Sequence, residues 1–475
     1  MEYDVVIGLE VHLEINTRTK MFSDAPYYFG ADPNTCVSET DLALPGTLPC
    51  LNREAVRKAL SLCLALDMDI DTVLRFDRKN YYYTDLPKGY QITQYFHPLG
   101  RNGHLKICIN GKEKTIGIES IHLEEDTAKQ IHNSRETLID YNRCGLPLLE
   151  IVSEPVICSS EEAVLYLEKL KQIFEYLGIS KARMEEGELR CDVNISLKEA
   201  VSPDLGNKVE VKNLNSLANT RTAIDHEIVR QKELLDRGEE ILKETRRFDE
   251  KTRTTISMRK KEEIADYRYF REPNIFPIRI SDDMMEDVRK SLPELPDVRY
   301  RRYTKEYRLT DQAARSILAD KDLSDYYDKA ARESTDPKIL CNLLLSELGG
   351  LLAKADIRIE ECSVKPEDLA ELADILSRKE LSSKQAKEVL SEMFSSSESP
   401  EIVINRKGFR PIKDSDMLLA VINEVLSENS QSVEDYKKGK DRALNHLTGQ
   451  VMKKTKGQAD PEITAVLLTN ELAKR

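Results

Sequence analysis

The strongest constraint on the fold is a strand-like period that recurs in four places, each time with carboxylates among its polar residues. The four stretches are Ile7–Glu14 (IGLEVHLE), Ile116–Asp126 (IGIESIHLEED), Leu148–Glu154 (LLEIVSE) and Gly187–Leu197 (GELRCDVNISL). Successive strand side chains point to opposite sides, so Tyr3, Val5, Ile7, Leu9, Val11, Leu13 and Ile15 share one face and Glu10, His12 and Glu14 the other. The same parity buries Cys191, Val193, Ile195 and Leu197, opens Asp192, Asn194 and Ser196, and separates Val209 and Val211 from Glu210. If these strands pair, Asp192 and Glu210 lie on one sheet face. Adjacent Glu124 and Glu125 cannot both enter one site from a regular strand, so a bulge or strand end is expected there.

An oxygen-rich donor set with one imidazole, His12, suits Mg²⁺ or Mn²⁺ better than structural zinc, which takes Cys and His in fixed tetrahedral sets. Mg²⁺ in turn usually brings a phosphate. In a chain that is 33% charged, each glutamate taken alone reads as a solvated strand face. Only the repetition points to a metal-nucleotide site.

The length of 475 residues has room for about three domains. There is no run of about 18 apolar residues and no basic, apolar leader at the start, so a cytoplasmic chain without a membrane span is expected. Nine cysteines fall singly without paired metal spacing, which predicts reduced thiols. A formal charge of −13 excludes a protein that coats nucleic acid through bulk positive charge. Any RNA contact must be local.

Residues 1–292 read as an α+β domain of short strands with inserted helices. Ser159-Ser160-Glu161-Glu162 opens a helix whose apolar positions are Val164, Leu167, Leu170, Phe174 and Leu177, ending at Gly178, and Ala218–Leu242 also reads as helical. After Leu292-Pro293-Glu294-Leu295-Pro296 the strand signals nearly vanish. Amphipathic segments at Thr310–Ala319, Lys338–Ala355, Lys365–Ser377 and Ser382–Phe394 predict a helical domain over 293–394. The serine-rich 395–407 reads as a linker, and 408–475 as a small all-helical tail domain made locally basic by Lys437, Lys438, Lys440, Arg442, Lys453, Lys454 and Lys456.

The chain has no GxxxxGK[ST] loop, GxGxxG turn, GxSxG elbow or CxxC pair, which disfavours P-loop and dinucleotide folds. Phosphates would then be held by metal-bound carboxylates and by cations projecting from a sheet. Phe76–Gln94 interleaves Arg78, Lys79 and Lys88 with Tyr81, Tyr82, Tyr83 and Tyr90, a composition suited to phosphate plus base. It reads equally well as an ordinary hairpin turning at Asp85–Gly89.

The motifs themselves are more specific than their spacing. VIGLEVHLE (Val6–Glu14), LPGTLP (Leu44–Pro49), FDRKNYYY (Phe76–Tyr83), HLEED (His122–Asp126), LLEIVSEP (Leu148–Pro155), MEEGELRCDVNISL (Met184–Leu197), VKNLNS (Val211–Ser216), DYRYF (Asp266–Phe270) and GQVMKKTKGQADP (Gly449–Pro461) run essentially end to end. With them the chain closely resembles the B-subunit family of bacterial glutamyl-/aspartyl-tRNA amidotransferases. The resemblance implies a fold related to glutamine synthetase: an N-terminal cradle with a mixed or antiparallel sheet, then a helical domain and a tail domain. It implies a ligase that uses ATP to phosphorylate the side-chain carboxylate of Glu-tRNA(Gln) or Asp-tRNA(Asn). Ammonia from the amidase (glutaminase) A subunit then displaces the phosphate, and a small C subunit makes up the heterotrimer. The acceptor end of the mischarged tRNA is expected at the cradle, and its body at the helical and tail domains.

By the same resemblance Glu10, His12, Glu124, Glu125, Glu150, Asp192 and Glu210 are the expected Mg²⁺ ligands. Glu10, His12 and Glu125 are the expected catalytic residues, and Arg78, Lys79, Lys88 and Arg190 hold ATP phosphates or substrate. Many relatives carry a CPxC-type zinc element where this chain has Ser38-Glu39-Thr40-Asp41, so zinc is not expected. The alternative is a non-catalytic tRNA-binding scaffold, which has no need for Glu10, His12 and Glu14 on one strand face.

Overall fold

The computed structural model describes residues 3–133, 135–199, 206–260, 266–409, 415–437, 442–455, 459 and 461–474. It divides into two compact units, Met1–Pro296 and Asp297–Arg475.

The first unit is built on a nine-stranded sheet. Its strands are β1 (Tyr3–Glu14), β2 (Asp69–Ile70), β3 (Gly100–Ile109), β4 (Lys112–Glu125), β5 (Pro147–Ser153), β6 (Leu189–Glu199), β7 (Val209–Leu214), β8 (Glu244–Asp249) and β9 (Thr254–Lys260). Their order is β9-β8-β7-β6-β1-β5-β4-β3-β2, antiparallel throughout except for the parallel pair β7 and β8. The expected α+β unit with a mixed sheet is therefore present, and β1 lies at its centre.

The expected parity holds. Ile7, Leu9, Val11 and Leu13 are at most 1% exposed and join one core with Cys191, Val193 and Ile195. That face is covered by helices α1 (Arg53–Ala65), α2 (Ser160–Tyr176) and α3 (Leu217–Asp236). The α2 start is set by Ser159, whose side chain accepts from the Glu162 N–H, and its Tyr166, Leu167, Leu170 and Phe174 enter the core. The covering helices leave the Glu10–His12 face as the wall of a cleft. Beside the large sheet, Asp77–Asn80 pairs on one side with Tyr90–Thr93 and on the other with Phe270–Arg271. The Phe76–Gln94 stretch is thus a hairpin, and it projects into the cleft from the flank.

The second unit is helical in its described residues. The expected segments appear as Asp311–Leu318, a run from Pro337 to Ala355 with π-type winding over Leu343–Leu348, Pro366–Ser377 and Ser383–Ser396. The stretch 395–407, expected as a linker, is mostly a helix, Pro400–Lys407, whose Pro400, Val403 and Ile404 are buried. Ser397 turns the chain at φ +58° and Pro400 starts the new helix, so the serine-rich composition marks a tight corner instead of a spacer. The tail helices enclose their own core of Leu418, Ile422, Leu426, Leu447, Val451 and Leu468. Lys438, Lys440 and Lys456 lie outside the described residues, as does the Lys437 side chain.

Candidate active site

Strand register assembles the site. Pairing sets Arg190, His12, Glu150 and His122 side by side across β6, β1, β5 and β4, and sets Glu10 opposite Asp192. His12 Nε2 lies 3.7 Å from Glu10 Oε1, 3.8 Å from Glu124 Oε1 and 3.8 Å from Glu150 Oε2. Ligand atoms of Glu10, His12 and Glu150 all fall within 4.8 Å of one another. Of these groups His12 and Glu124 line a cleft of about 630 Å³, together with Lys79, Asp126, Arg190, Asp192, Lys212 and the Met184–Gly187 turn.

The electrostatics of this cluster are unbalanced. Burial, with Glu150 and Asp192 nearby, raises Glu10 to about 7, and burial with Glu150 raises Glu124 well above the carboxylate range. Burial also raises Glu150, against the pull of Lys79. His12 moves the other way: burial, with Arg190 beside it, lowers it to about 3, so the imidazole is neutral and keeps a lone pair free. Several acids around one neutral imidazole form an oxygen-rich donor set short of positive charge. A divalent cation fits both the donors and the deficit.

Each expected ligand has a definite place. Glu10, His12, Glu124 and Glu150 come together. Asp192 and Glu210 share the sheet face as expected, but Lys212 Nζ lies 2.7 Å from Asp192 and 3.2 Å from Glu210, and Thr245 Oγ1 donates to Glu210 at 3.0 Å. Glu125 stands apart from this cluster. One residue after Glu124, it points to the other side of β4, is 2% exposed, and is held by Lys88 and by the Ile92 N–H at 2.9 Å. From Ser120 the strand runs regularly to its end at Glu125, so alternation sends the two glutamates apart.

The expected phosphate-binding cations also divide. Lys79 and Arg190 line the cleft. Arg78 does not: its Nε and Nη2 bond the fully buried Glu272 at 2.5 and 3.0 Å, and its guanidinium stacks 4.0 Å from the Tyr90 ring centroid. Lys88 is committed to Glu125 and borders a separate pocket with Thr40, Leu44 and Asn274.

Three residues at the site escaped the sequence reading. His122 sits opposite Glu150 on the same face, and its spacing of two from Glu124 would have revealed it. Lys212 has the parity of Glu210. Asp126 anchors Arg190 Nη2 at 2.7 Å and Arg143 Nε at 3.2 Å. Burial opposes the Asp126 charge, yet Arg190 and Arg143 together hold its carboxyl below the usual range.

Away from the cleft, Asp41 accepts from Lys20 Nζ at 3.0 Å, from Ser23 Oγ at 2.7 Å and from the Ser38 N–H at 3.0 Å. A buried ion pair therefore organises this loop. All nine cysteines are free thiols. Among the described residues no helix is long and apolar enough to cross a membrane.

Comparison with known proteins extends the resemblance over the whole chain. Residues 5–286 match the family model described as the GatB/GatE catalytic domain, and residues 325–472 match the GatB domain. The B subunit of aspartyl/glutamyl-tRNA(Asn/Gln) amidotransferase from Carboxydothermus hydrogenoformans is 47% identical over the full chain and 99% of its own length. Its counterparts from Geobacillus kaustophilus and Macrococcus caseolyticus are 48% and 46% identical, each over the full length of both chains. With a family model spanning more than half of its residues and relatives matched from end to end, the chain belongs to the GatB/GatE family.

Proposed function

We propose that the chain is the B subunit of a tRNA-dependent amidotransferase, a ligase that converts Glu-tRNA(Gln) and/or Asp-tRNA(Asn) to Gln-tRNA(Gln) and Asn-tRNA(Asn). The observation that carries this reading, with the family membership, is the His12-centred cluster of Glu10, Glu124 and Glu150, which meets through His12 and Glu124 a cleft that also holds Lys79 and Arg190.

The carboxylate carried on the tRNA is a poor electrophile because its oxygen is a poor leaving group. One of its oxygens attacks the γ-phosphorus of ATP and ADP departs. Ammonia then attacks the acyl carbon, inorganic phosphate departs, and the nitrogen loses a proton. Lys79 and Arg190 are the residues to hold the phosphates, and Asp126 positions Arg190 through its 2.7 Å bond. Glu10, Glu124 and Glu150, with the neutral His12, would hold Mg²⁺, which neutralises charge on phosphoryl oxygens when bound. Asp192 and Glu210, shared with Lys212, stand beside that set. Depth in the cleft also limits hydrolysis of the acyl phosphate.

The same reading gives the first unit a glutamine-synthetase-like cradle over 1–292, a helical domain over 293–394 and a tRNA-binding tail over 408–475. It makes the chain one part of a cytoplasmic heterotrimer whose other members are the glutaminase A subunit plus a small C subunit. It includes no zinc, and one zinc per chain in the purified protein would overturn that part. The test is phosphate release by the reconstituted complex. Release should require both Mg²⁺ and mischarged tRNA, and ATP cleavage indifferent to the tRNA would sink the proposal.

A further inference from the structure

Between the cleft and solvent runs an unbroken file of aromatic rings. Phe96 meets Tyr95 at 5.1 Å between centroids, Tyr95 stacks on Tyr269 at 3.9 Å and 9°, and Tyr269 meets Tyr267 at 6.0 Å. Tyr267 meets Tyr81 at 5.8 Å, and Tyr81 meets Tyr83 at 5.8 Å. The chain is brought into this file by the flanking hairpin, where the Asn80 N–H donates to the Tyr267 carbonyl at 2.9 Å. The file touches the cleft through Lys79, whose ammonium lies 5.1 Å from the Tyr267 centroid and 5.7 Å from that of Tyr81. Its outer rings face water: Tyr95 is 52% exposed, Phe96 49% and Tyr83 61%.

Rings that served only as packing would turn their faces inward, because burying aromatic surface is favourable. Here they form a series open at both ends, with the exposed Arg101 bonded to the Phe96 carbonyl and the exposed Arg268 between Tyr267 and Tyr269 in sequence. Apart from the Tyr95–Tyr269 stack the contacts are edge-to-face, at 65–79°, so successive rings present faces in different directions. Exposed rings in series with cations beside them are what a short unpaired run of nucleotides requires, bases on rings and phosphates on cations. A mononucleotide offers one base and would occupy one step of the series. We propose that this file is a stacking track for the unpaired 3′ end of the aminoacyl-tRNA, which leads the esterified amino acid past Lys79 to the acidic cluster.

This inference rests on the function proposed above, and the two fail differently. If the wild-type complex releases no phosphate in response to mischarged tRNA, the function fails. If it does so and the track variants are unaltered, the track fails. Tyr95→Leu and Tyr269→Leu keep apolar bulk and remove the π face, and Tyr95→Phe keeps both. Each leucine variant, assembled with the partner subunits, should bind intact tRNA on the order of tenfold more weakly and raise its KM. Tyr95→Phe should match wild type, tRNA trimmed of its unpaired 3′ nucleotides should bind all forms alike, and the KM for ATP should not move. Unchanged affinity for intact tRNA would overturn the proposal. So would a rise in the KM for ATP in its place, which would make the adenine of ATP the occupant. A readout without variants is available because the chain has no tryptophan. Tyrosine fluorescence of the full chain should be quenched by intact tRNA and less by trimmed tRNA, and equal quenching would count against the track.

Discussion

Two groups of buried carboxylates stand at the same sheet, one on its strands and one between it and a covering helix, and only one has its charge matched. On α3, Glu227 is fully buried and accepts from Arg230 at 2.8 Å and Gln231 at 3.0 Å, with Arg246 of the sheet at 3.1 Å. Glu244 accepts from Arg246 at 2.6 Å. Burial opposes the Glu227 charge, but Arg230, Thr255 and Gln231 outweigh it and hold its carboxyl low. Around His12 the acids have one another for neighbours, and Glu10 and Glu124 are pushed up. An acid buried with its donors belongs to the architecture. An acid buried among other acids is held there for a cation or substrate that the fold does not itself provide.

Replacement breaks the comparison most sharply. Glu124→Gln should lower mischarged-tRNA-dependent phosphate release on the order of 10²-fold or more, while thermal stability is unchanged or improved because a like charge is removed. Retained activity would take Glu124 out of the site. Glu227→Ala should do the reverse, leaving arginines without a counter-charge and costing about 3–5 kcal/mol in denaturant unfolding. Glu125→Gln should resemble Glu227→Ala, since it strands the Lys88 ammonium. If it instead abolished Mg²⁺ binding without loss of stability, Glu125 would return to the metal set.

The pH dependence has opposite signs in the two clusters. Glu10 is raised from 4.5 to about 7, and Glu14, by burial and Asp126, to about 8. Their contribution to stability is fully present below about 4.5 and is lost as pH rises through 7 to 8. Glu227 is lowered, so its contribution is present above its unfolded value and lost as pH falls below it. In chelator the chain should melt several degrees lower at pH 8 than at pH 6, and Mg²⁺ should restore most of the difference. A flat profile would mean that the His12 cluster is balanced after all. The smallest effect is expected in the tail. Lys454 is already paired with Glu424 at 2.7 Å and Glu428 at 2.8 Å, so replacing Lys453, Lys454 and Lys456 should weaken tRNA binding modestly and flatten its salt dependence. An unchanged salt slope would remove this surface from the tRNA site.

The alternation around Glu10 and His12 made the acidic face legible, because strand parity is a local property. So was the hairpin at Phe76–Gln94, whose turn residues announce it. His122 is readable from the same parity, two residues before Glu124 on the same face. The cations were not legible. Arg78 and Lys79 are neighbours with the same charge, yet one is bound to Glu272, 194 residues on, and the other faces the cleft. Nothing local distinguishes an arginine that binds substrate from one that neutralises a distant acid.

By itself the sequence determined which face of each strand is apolar, where helices replace strands, and to which family the chain belongs, since these follow from short-range periodicity and unbroken motifs. The tertiary structure alone decided that Glu124 and not Glu125 joins His12, that Glu10 and Glu150 converge on the same imidazole, and which lysines and arginines remain available. Those outcomes depend on register between strands far apart in the chain and on which opposite charges meet when the sheet closes.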